Sequence, residues 1–310
     1  MTRLPCLFLL LLLAPLAQAA CTTSAGSASF GGLSSFTLAS TAQTISATTG
    51  FKCTGSLLSL LSTNTVDATI SATAHPLGTQ PRLYNATTGS YLPYSICKDS
   101  SCSTIYNAGT TVRWSSTTFL GLLGLFNASD GSLPLFLRTT TGSSLAAGTY
   151  TDTISLSWAW HLCAAGALGL CVYDDGTASN AVNITLNVLN DCFIDSAPDV
   201  NFGSAALVSG FSAVTQNIGV RCTANATYTV TFDNGNNYSG GWRRMLNGSN
   251  AIQYHLYRPD NSAVWTTTNG VSQTGNGATQ SVPYRAAVNP AQANVPAGIY
   301  SDTVRVIVTY

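Results

Sequence analysis

The sequence predicts an all-β protein built from two sandwich domains, and composition, length and a repeated pattern support this. Only 8% of the 310 residues are charged, lysine occurs twice and glutamate is absent, so good helix formers are scarce. Thr, Ser, Val and Tyr are abundant, as in strands and turns. At roughly 150 residues per domain, the length predicts two domains.

The first residues predict a cleaved secretory signal. Arg3 precedes the apolar run Leu7 to Ala14, and Ala17-Gln18-Ala19 is typical of a cleavage site, so the signal peptide is expected over residues 1–19. Cys21 leaves a lipoprotein as an alternative, although Gln18 stands where a bulky apolar residue is wanted. We expect export to the periplasm.

Nine cysteines become eight when Cys6 leaves with the signal, which predicts four disulfides. Spacing suggests two short loops, and the repeat described next suggests two further pairs. The expected pairs are Cys97 with Cys102, Cys163 with Cys171, Cys21 with Cys53, and Cys192 with Cys222. The three histidines are scattered, so neither a zinc site nor any other cofactor is predicted.

One pattern occurs twice along the chain. A cysteine, a Phe-Gly pair and a second cysteine open each copy, with the pairs at Phe30-Gly31 and Phe202-Gly203. The closing blocks, residues 147–156 and 297–306, match almost position for position. We therefore predict homologous domains over residues 20–190 and 191–310.

Apolar residues alternate with polar ones inside these blocks, as in Tyr228, Val230 and Phe232. Turn-forming segments such as residues 233–235 separate the alternating runs. The rhythm predicts immunoglobulin-like β-sandwiches, with Tyr254, Tyr257 and Trp265 expected in the core.

The second domain is expected to be one strand short. The first domain ends in the alternating segment Ala181 to Leu189, whereas the second stops at Tyr310, directly after the strand equivalent to the one that precedes this segment. A groove with unpaired backbone groups should result, and such an edge invites a strand from another chain. Its expected residues are Val304, Val306, Val308 and Tyr310.

The segment from Cys192 to Tyr310 resembles a spore coat U domain, the pilin fold of archaic (Csu-type) chaperone–usher pili. The resemblance rests on Phe202-Gly203, Cys222, Asp233-x-Gly235, Arg244-Met245, Tyr254-x-Leu256-Tyr257, Trp265 and residues 298–303. It implies donor-strand complementation by a periplasmic chaperone, followed by the next pilus subunit at an outer-membrane usher. It also implies that the Tyr310 carboxylate anchors in the chaperone cleft.

The arrangement of strands predicts a place at the end of the fibre. Almost nothing would precede Cys21 in the mature chain as a strand to donate, and Val182 to Leu189 would complete the first domain within the chain. A subunit that accepts a strand without giving one should sit at the pilus tip on the cell surface. We expect a tip adhesin that supports attachment and biofilm formation.

Three uncharged apolar segments of the first domain are expected to be loops that bind a hydrophobic surface. Two are rich in glycine, which weakens strands. Their residues are Leu57, Leu58, Leu60 and Leu61; Phe119, Leu120, Leu122, Leu123, Leu125 and Phe126; and Ala167, Leu168 and Leu170. The alternatives are that they are buried strands or inter-sheet loops, or that the tip binds a host receptor.

Other function classes have weaker support. Asp174-Asp175 is expected in a turn beside Gly176, so no enzyme is predicted. A sugar-binding tip would use Trp158, Trp160 and His161, but alternation with Ile154 and Leu156 places both indoles with the core. A shaft or coat subunit is a third possibility. Zero net charge without a polybasic stretch argues against nucleic acid and anionic lipid as partners.

Overall fold

A computed structural model describes residues 20–54, 58–60, 63–116, 133–167, 170–260 and 263–310. The predicted signal peptide lies outside these residues. The described chain is almost entirely β, as predicted, with a single short α-helix and a 3-10 turn at Val208–Gly210 among its elements.

The elements before residue 190 are β1 (Ala20–Ser24), β2 (Gly26–Ser34), α1 (Ser35–Ser40), β3 (Thr44–Thr54), β4 (Leu58–Leu60), β5 (Asn64–Thr73), β6 (Arg82–Asn85), β7 (Ser90–Cys97), β8 (Ile105–Tyr106), β9 (Thr111–Ser116), β10 (Leu133–Thr139), β11 (Gly148–Ala167) and β12 (Leu170–Leu189). Those after it are β13 (Cys192–Ser196), β14 (Val214–Cys222), β15 (Thr227–Phe232), β16 (Arg243–Asn247), β17 (Asn250–Tyr257), β18 (Val271–Thr274), β19 (Thr279–Val288) and β20 (Val306–Thr309).

The chain divides into two compact units. Unit 1 contains residues through Gly31, Ala42–Thr140 and Tyr150–Leu186. Unit 2 contains Gly32–Thr41, Thr141–Thr149 and Asn187–Tyr310. The predicted boundary near residue 190 stays a prediction, because two short earlier segments also belong to unit 2.

The main sheet before residue 190 has the strand order β1-β3-β10-β7-β6-β11-β12-β2, and β5 pairs with both β11 and β9. Its strands form because apolar side chains recur at every second position and are buried on one face. In β12 this gives Val182, Ile184 and Leu186, each 0% exposed. The end of β12 is therefore part of the core.

The later strands form a five-stranded sheet, β13-β14-β19-β17-β16, and a three-stranded sheet, β18-β15-β20. The core of unit 2 contains Tyr228, Val230 and Trp265, each 0% exposed. Tyr254 is also buried, but Tyr257 is not, contrary to the core position predicted for it. Tyr257 is only partly buried and its ring lies 4.6 Å from the Arg285 guanidinium, because alternation along β17 turns it away from Leu256.

Three of the four predicted disulfide pairs are confirmed. Cys97 is bonded to Cys102, Cys163 to Cys171, and Cys192 to Cys222. Cys21 is disulfide-bonded, and the register of β1 against β3 places Cys53 directly opposite it.

Two segments expected as loops contain strands. Leu58–Leu60 forms β4, which pairs in parallel with Ala165–Ala167 at the end of β11, and Leu170 begins β12. Cross-strand backbone hydrogen bonds compensate locally for the low strand preference of glycine, so Gly166 lies within β11. No helix in the described part of the chain is long and apolar enough to cross a membrane.

Candidate functional site

Unit 1 shows how a sandwich of this kind is completed. Strand β12 lies between β11 and β2, and it presents Val182, Ile184 and Leu186 to the core. Strand β11 contains the closing block of the repeated pattern, and β2 contains its opening Phe-Gly pair. We call the space between these two strands the slot, and in unit 1 it is filled by β12 of the same chain.

The opening walls of the two slots are equivalent in detail. In unit 1, Gly31 follows Phe30 with a φ of +73°, and its N–H donates to the Ser29 hydroxyl at 3.1 Å. In unit 2, Gly203 has a φ of +75°, and its N–H donates to the Asn201 side-chain oxygen at 2.8 Å. The positive φ favours glycine at both sites.

In unit 2 the equivalent slot is an open groove of about 640 Å³. One wall is residues 197–202 and the other is residues 299–304 with Val306. The floor contains apolar and aromatic side chains: Ile218, Phe232, Met245, Tyr254, Leu256 and Tyr284. No described strand lies in this groove, which we call the acceptor groove.

Equivalent residues of the repeated motif are more deeply buried beside the filled slot of unit 1 than beside the open groove of unit 2. Tyr150 and Ile154 in unit 1 are 0% exposed. Their counterparts in the repeated motif, Tyr300 and Val304, are only partly buried and line the acceptor groove. The side chains that β12 helps to cover in unit 1 remain accessible in unit 2.

The acceptor groove contains polar groups beneath its apolar lining. Burial, together with a hydrogen bond to Asp302, raises the pKa of Tyr254, so its hydroxyl remains a donor at neutral pH. Arg243 is 1% exposed, and burial lowers the pKa of its guanidinium. That guanidinium donates to the carbonyl oxygens of Asp233 and Trp265. These bonds fix the backbone at residues 233 and 265 relative to β16, beside the groove floor.

The predicted groove residues have different positions. Val304 and Val306 line the acceptor groove. Val308 is opposite Val230 in the β15–β20 pair, and Tyr310 is 54% exposed. The floor and the opening wall, including Phe202, were not predicted, although the matched Phe-Gly pairs mark the position of that wall in the sequence.

A second exposed feature is the far end of the β11–β12 hairpin. The Cys163–Cys171 disulfide joins its two strands. Leu170 is 81% exposed and Val172 is 66% exposed. We call this region, Cys163, Cys171, Leu170 and Val172, the hairpin end; Val172 was not predicted, although its alternation with Leu170 was a usable signal.

Of the other residues predicted to bind a surface, three lie in described strands and the rest lie outside the described residues. Leu58 and Leu60 lie in β4, and Ala167 ends β11. The rest lie outside the described residues: Leu57, Leu61, Phe119, Leu120, Leu122, Leu123, Leu125, Phe126 and Leu168.

The predicted sugar platform is partly inside the core. Trp158 is 2% exposed, stacks on Phe51 with ring centroids 4.9 Å apart, and donates from its indole to Asn180 at 2.9 Å. Trp160 is only partly buried and lies over Gly176, leaving no room for a β-carbon there. A buried Trp158 cannot offer its ring face to a sugar.

Asp174 and Asp175 are in strand β12, not in the predicted turn. Cross-strand partners on β11 explain the difference. Asp174 accepts a hydrogen bond from the Trp160 indole at 3.2 Å, and Asp175 lies 2.5 Å from His161 Nδ1. Across the described ranges, no three His, Cys or Asp side chains are grouped so that they could hold a metal ion.

Comparison with known proteins gives one family and several similar structures. A model of the Spore Coat Protein U domain matches residues 7–157 and 178–307. No curated protein matched the sequence.

Among solved structures, the CsuC–CsuE chaperone–tip adhesion subunit pre-assembly complex from archaic Csu pili of Acinetobacter baumannii is 25% identical, with a TM-score of 0.62. The match covers 94% of this chain and 100% of that one. The CupB6 tip adhesin from Pseudomonas aeruginosa is 14% identical over 94% of both chains, with a TM-score of 0.37. The P pilus rod subunit PapA is 15% identical over 38% of this chain and 98% of its own, with a TM-score of 0.31.

The family match extends over both copies of the repeated pattern, including the two walls of the acceptor groove and the strands beneath them. The chain belongs to the Spore Coat Protein U domain family.

Proposed function

We propose that this protein is a tip adhesin of an archaic chaperone–usher pilus and that its acceptor groove receives a strand from another chain. The observation that carries the proposal is the difference between two equivalent slots. In unit 1 the slot contains β12, and in unit 2 it is an open groove of about 640 Å³ with an apolar and aromatic floor.

The chemistry of the acceptor groove suits an extended peptide. Among the described strands, β20 lies at the edge of its sheet, so a new strand can add there through backbone hydrogen bonds. Alternating side chains of such a strand would cover Tyr300, Val304 and the aromatic floor. Burial of this apolar area supplies the driving force.

The partners follow from this mode of assembly. A periplasmic chaperone would first supply the strand, and the next pilus subunit would replace it at an outer-membrane usher. The similarity to a chaperone–tip adhesion subunit complex supports the chaperone as a partner. Export to the periplasm and display on the cell surface complete the route.

The tip position is supported by how the chain uses its own alternating strand. Val182, Ile184 and Leu186 are fully buried in unit 1, so β12 completes its own unit and is not available to a neighbour. Immunogold labelling of fibres tests the position. Label at fibre ends supports a tip subunit, whereas label along the shaft supports a structural shaft subunit.

Attachment is proposed to use the hairpin end together with the predicted apolar segments. Leu170 and Val172 are exposed at the end of a disulfide-closed hairpin, where they can be buried against an apolar surface. Each fibre contributes a weak contact, and many fibres add avidity that would support biofilm formation.

Adherence of piliated cells to polystyrene tests this attachment. Leu170→Ser with Val172→Ser should reduce adherence while pilus assembly is retained, and the same holds for Leu122→Ser, Leu123→Ser and Leu168→Ser. Leu77→Ser is the matched control, because Leu77 is also 66% exposed and lies outside the hairpin end. If adherence is unchanged both in the Leu170 and Val172 variant and in the variants at Leu122, Leu123 and Leu168, or if specific sugars inhibit it, a receptor-binding tip is favoured.

A further inference from the structure

Before Val306, the closing wall of the acceptor groove makes few backbone hydrogen bonds to other described parts of unit 2. One isolated bridge joins Ser301 to Leu246, with N–O distances of 2.8 and 3.2 Å. Regular pairing with β15 begins only at Val306. Between that bridge and Val306, the described backbone hydrogen bonds of the wall are made with one turn, residues 233–237, so the contacts of that turn help to set the position of the wall.

Two carboxylates join this wall to the turn, one from each side. Asp302 Oδ1 accepts hydrogen bonds from Asn236 N at 3.2 Å and from Asn237 Nδ2 at 3.0 Å. In the opposite direction, Asp233 Oδ1 accepts from Arg305 N at 2.9 Å. Backbone hydrogen bonds from residues 233 and 236 to wall carbonyls complete the contact.

Asp302 also reaches the floor of the acceptor groove. The hydroxyl of Tyr254 donates to Asp302 Oδ2 at 2.7 Å, and Tyr254 is 5% exposed. A single carboxylate therefore joins the wall, the turn and the floor.

Unit 1 contains the same carboxylate in a filled slot. Asp152 holds the equivalent place in the repeated motif and accepts from Tyr94 OH at 2.8 Å, Ala74 N at 3.0 Å and His75 N at 3.1 Å. It is 2% exposed. A carboxylate at this position can thus be buried when three donors surround it.

Asp302 already has three donors while its groove is open. Burial of a charged group is costly unless the group is hydrogen-bonded. Because the Asp302 carboxylate already accepts hydrogen bonds from three donors, an apolar strand can cover it without supplying a polar partner. We propose that Asp302 is a positioning residue of the acceptor groove, which holds the closing wall in place before a strand arrives. This inference rests on the proposed acceptance of a strand.

The experiment uses the full chain and a fluorescently labelled synthetic peptide with the sequence of residues 180–190, the strand that fills the slot of unit 1. Binding is measured by anisotropy, and amide hydrogen exchange at Ser301 and Arg305 is measured by NMR without peptide. The variants are Asp302→Asn, which removes an acceptor while keeping shape, and Tyr254→Phe, which removes one donor. Asp152→Asn is the matched control in unit 1.

We expect Asp302→Asn to weaken peptide binding about tenfold or more, as for loss of a hydrogen bond to a charged group, and to speed exchange at both amides. Tyr254→Phe should weaken binding in the same direction. Asp152→Asn should leave the peptide affinity unchanged, because the peptide binds in unit 2.

Wild-type affinity and wild-type exchange in both Asp302→Asn and Tyr254→Phe would overturn the inference. If Asp302→Asn does not fold, Tyr254→Phe alone decides by the same two measurements. If the wild-type protein does not bind the peptide, strand acceptance itself is contradicted, and the exchange rates still decide the role of Asp302.

Discussion

The indole ring of Trp242 stacks on the imidazole of His255, with ring centroids 3.8 Å apart and an interplanar angle of 15°. The Tyr257 ring meets the same imidazole edge-on at 5.9 Å. Burial, and secondly the nearby Arg243 cation, lower the pKa of His255 from its ordinary value of 6.5. His255 is therefore held in its neutral form between aromatic rings.

Unit 2 should lose stability as the pH falls below about 6.5. Because the pKa of His255 is lower in the folded state, the unfolded chain binds more protons in this range, and protonation favours unfolding. Urea unfolding followed through NMR signals of unit 2 between pH 7.5 and 5 measures the effect. His255→Gln should flatten the pH dependence, whereas His161→Gln, in unit 1, should not; an equal slope in wild type and His255→Gln would contradict the assignment.

Shortening a buried side chain of β12 should weaken unit 1 specifically. Ile184→Ala removes a fully buried side chain, and we expect the free energy of unfolding of unit 1 to fall by about 2–5 kcal/mol. Thr185→Ala, on the exposed face of the same strand, should change it by no more than about 0.5 kcal/mol. Similar losses in the two variants would show that β12 does not complete the core.

Gly235→Ala should destabilise unit 2. Gly235 has a φ of +74°, and a β-carbon there would clash with Asp302 Oδ2, so the substitution combines backbone strain with a displaced carboxylate. Backbone strain of this kind costs about 1–3 kcal/mol. Gly248→Ala separates the two effects, since Gly248 has a φ of +58° and nothing within 4 Å of its β-position. We expect the larger loss at Gly235 in urea unfolding; equal losses would mean that the contact with Asp302 costs nothing.

Much of the fold could be predicted from local sequence. Alternation in β12 and in residues 228–232 specifies which side chains face the core, because strand geometry turns successive residues to opposite faces. Short cysteine spacings led to the pairs Cys97–Cys102 and Cys163–Cys171. The repeated motif was enough to assign Val304 and Val306 to the acceptor groove, where both line the closing wall.

Other features depend on partners far away in the chain. Glycine near residue 166 favours a loop when considered locally, but β4 pairs with this segment and extends β11. Asp174 and Asp175 resemble turn residues until Trp160 and His161 are placed opposite them. Tyr257 is a large aromatic residue of the kind often found in a core, and only the register of its strand turns it outward.

The sequence by itself determined the all-β class, the duplication and the alternating strand that completes unit 1, because composition and period-two patterning are local properties. Tertiary structure decided the depth and lining of the acceptor groove, the exposure of the hairpin end and the three donors around Asp302. Those depend on strand pairing and side-chain packing between residues distant in the chain. The physical reason is that pairing energies between strands exceed local preferences, so the final environment of a side chain follows from its neighbours in space.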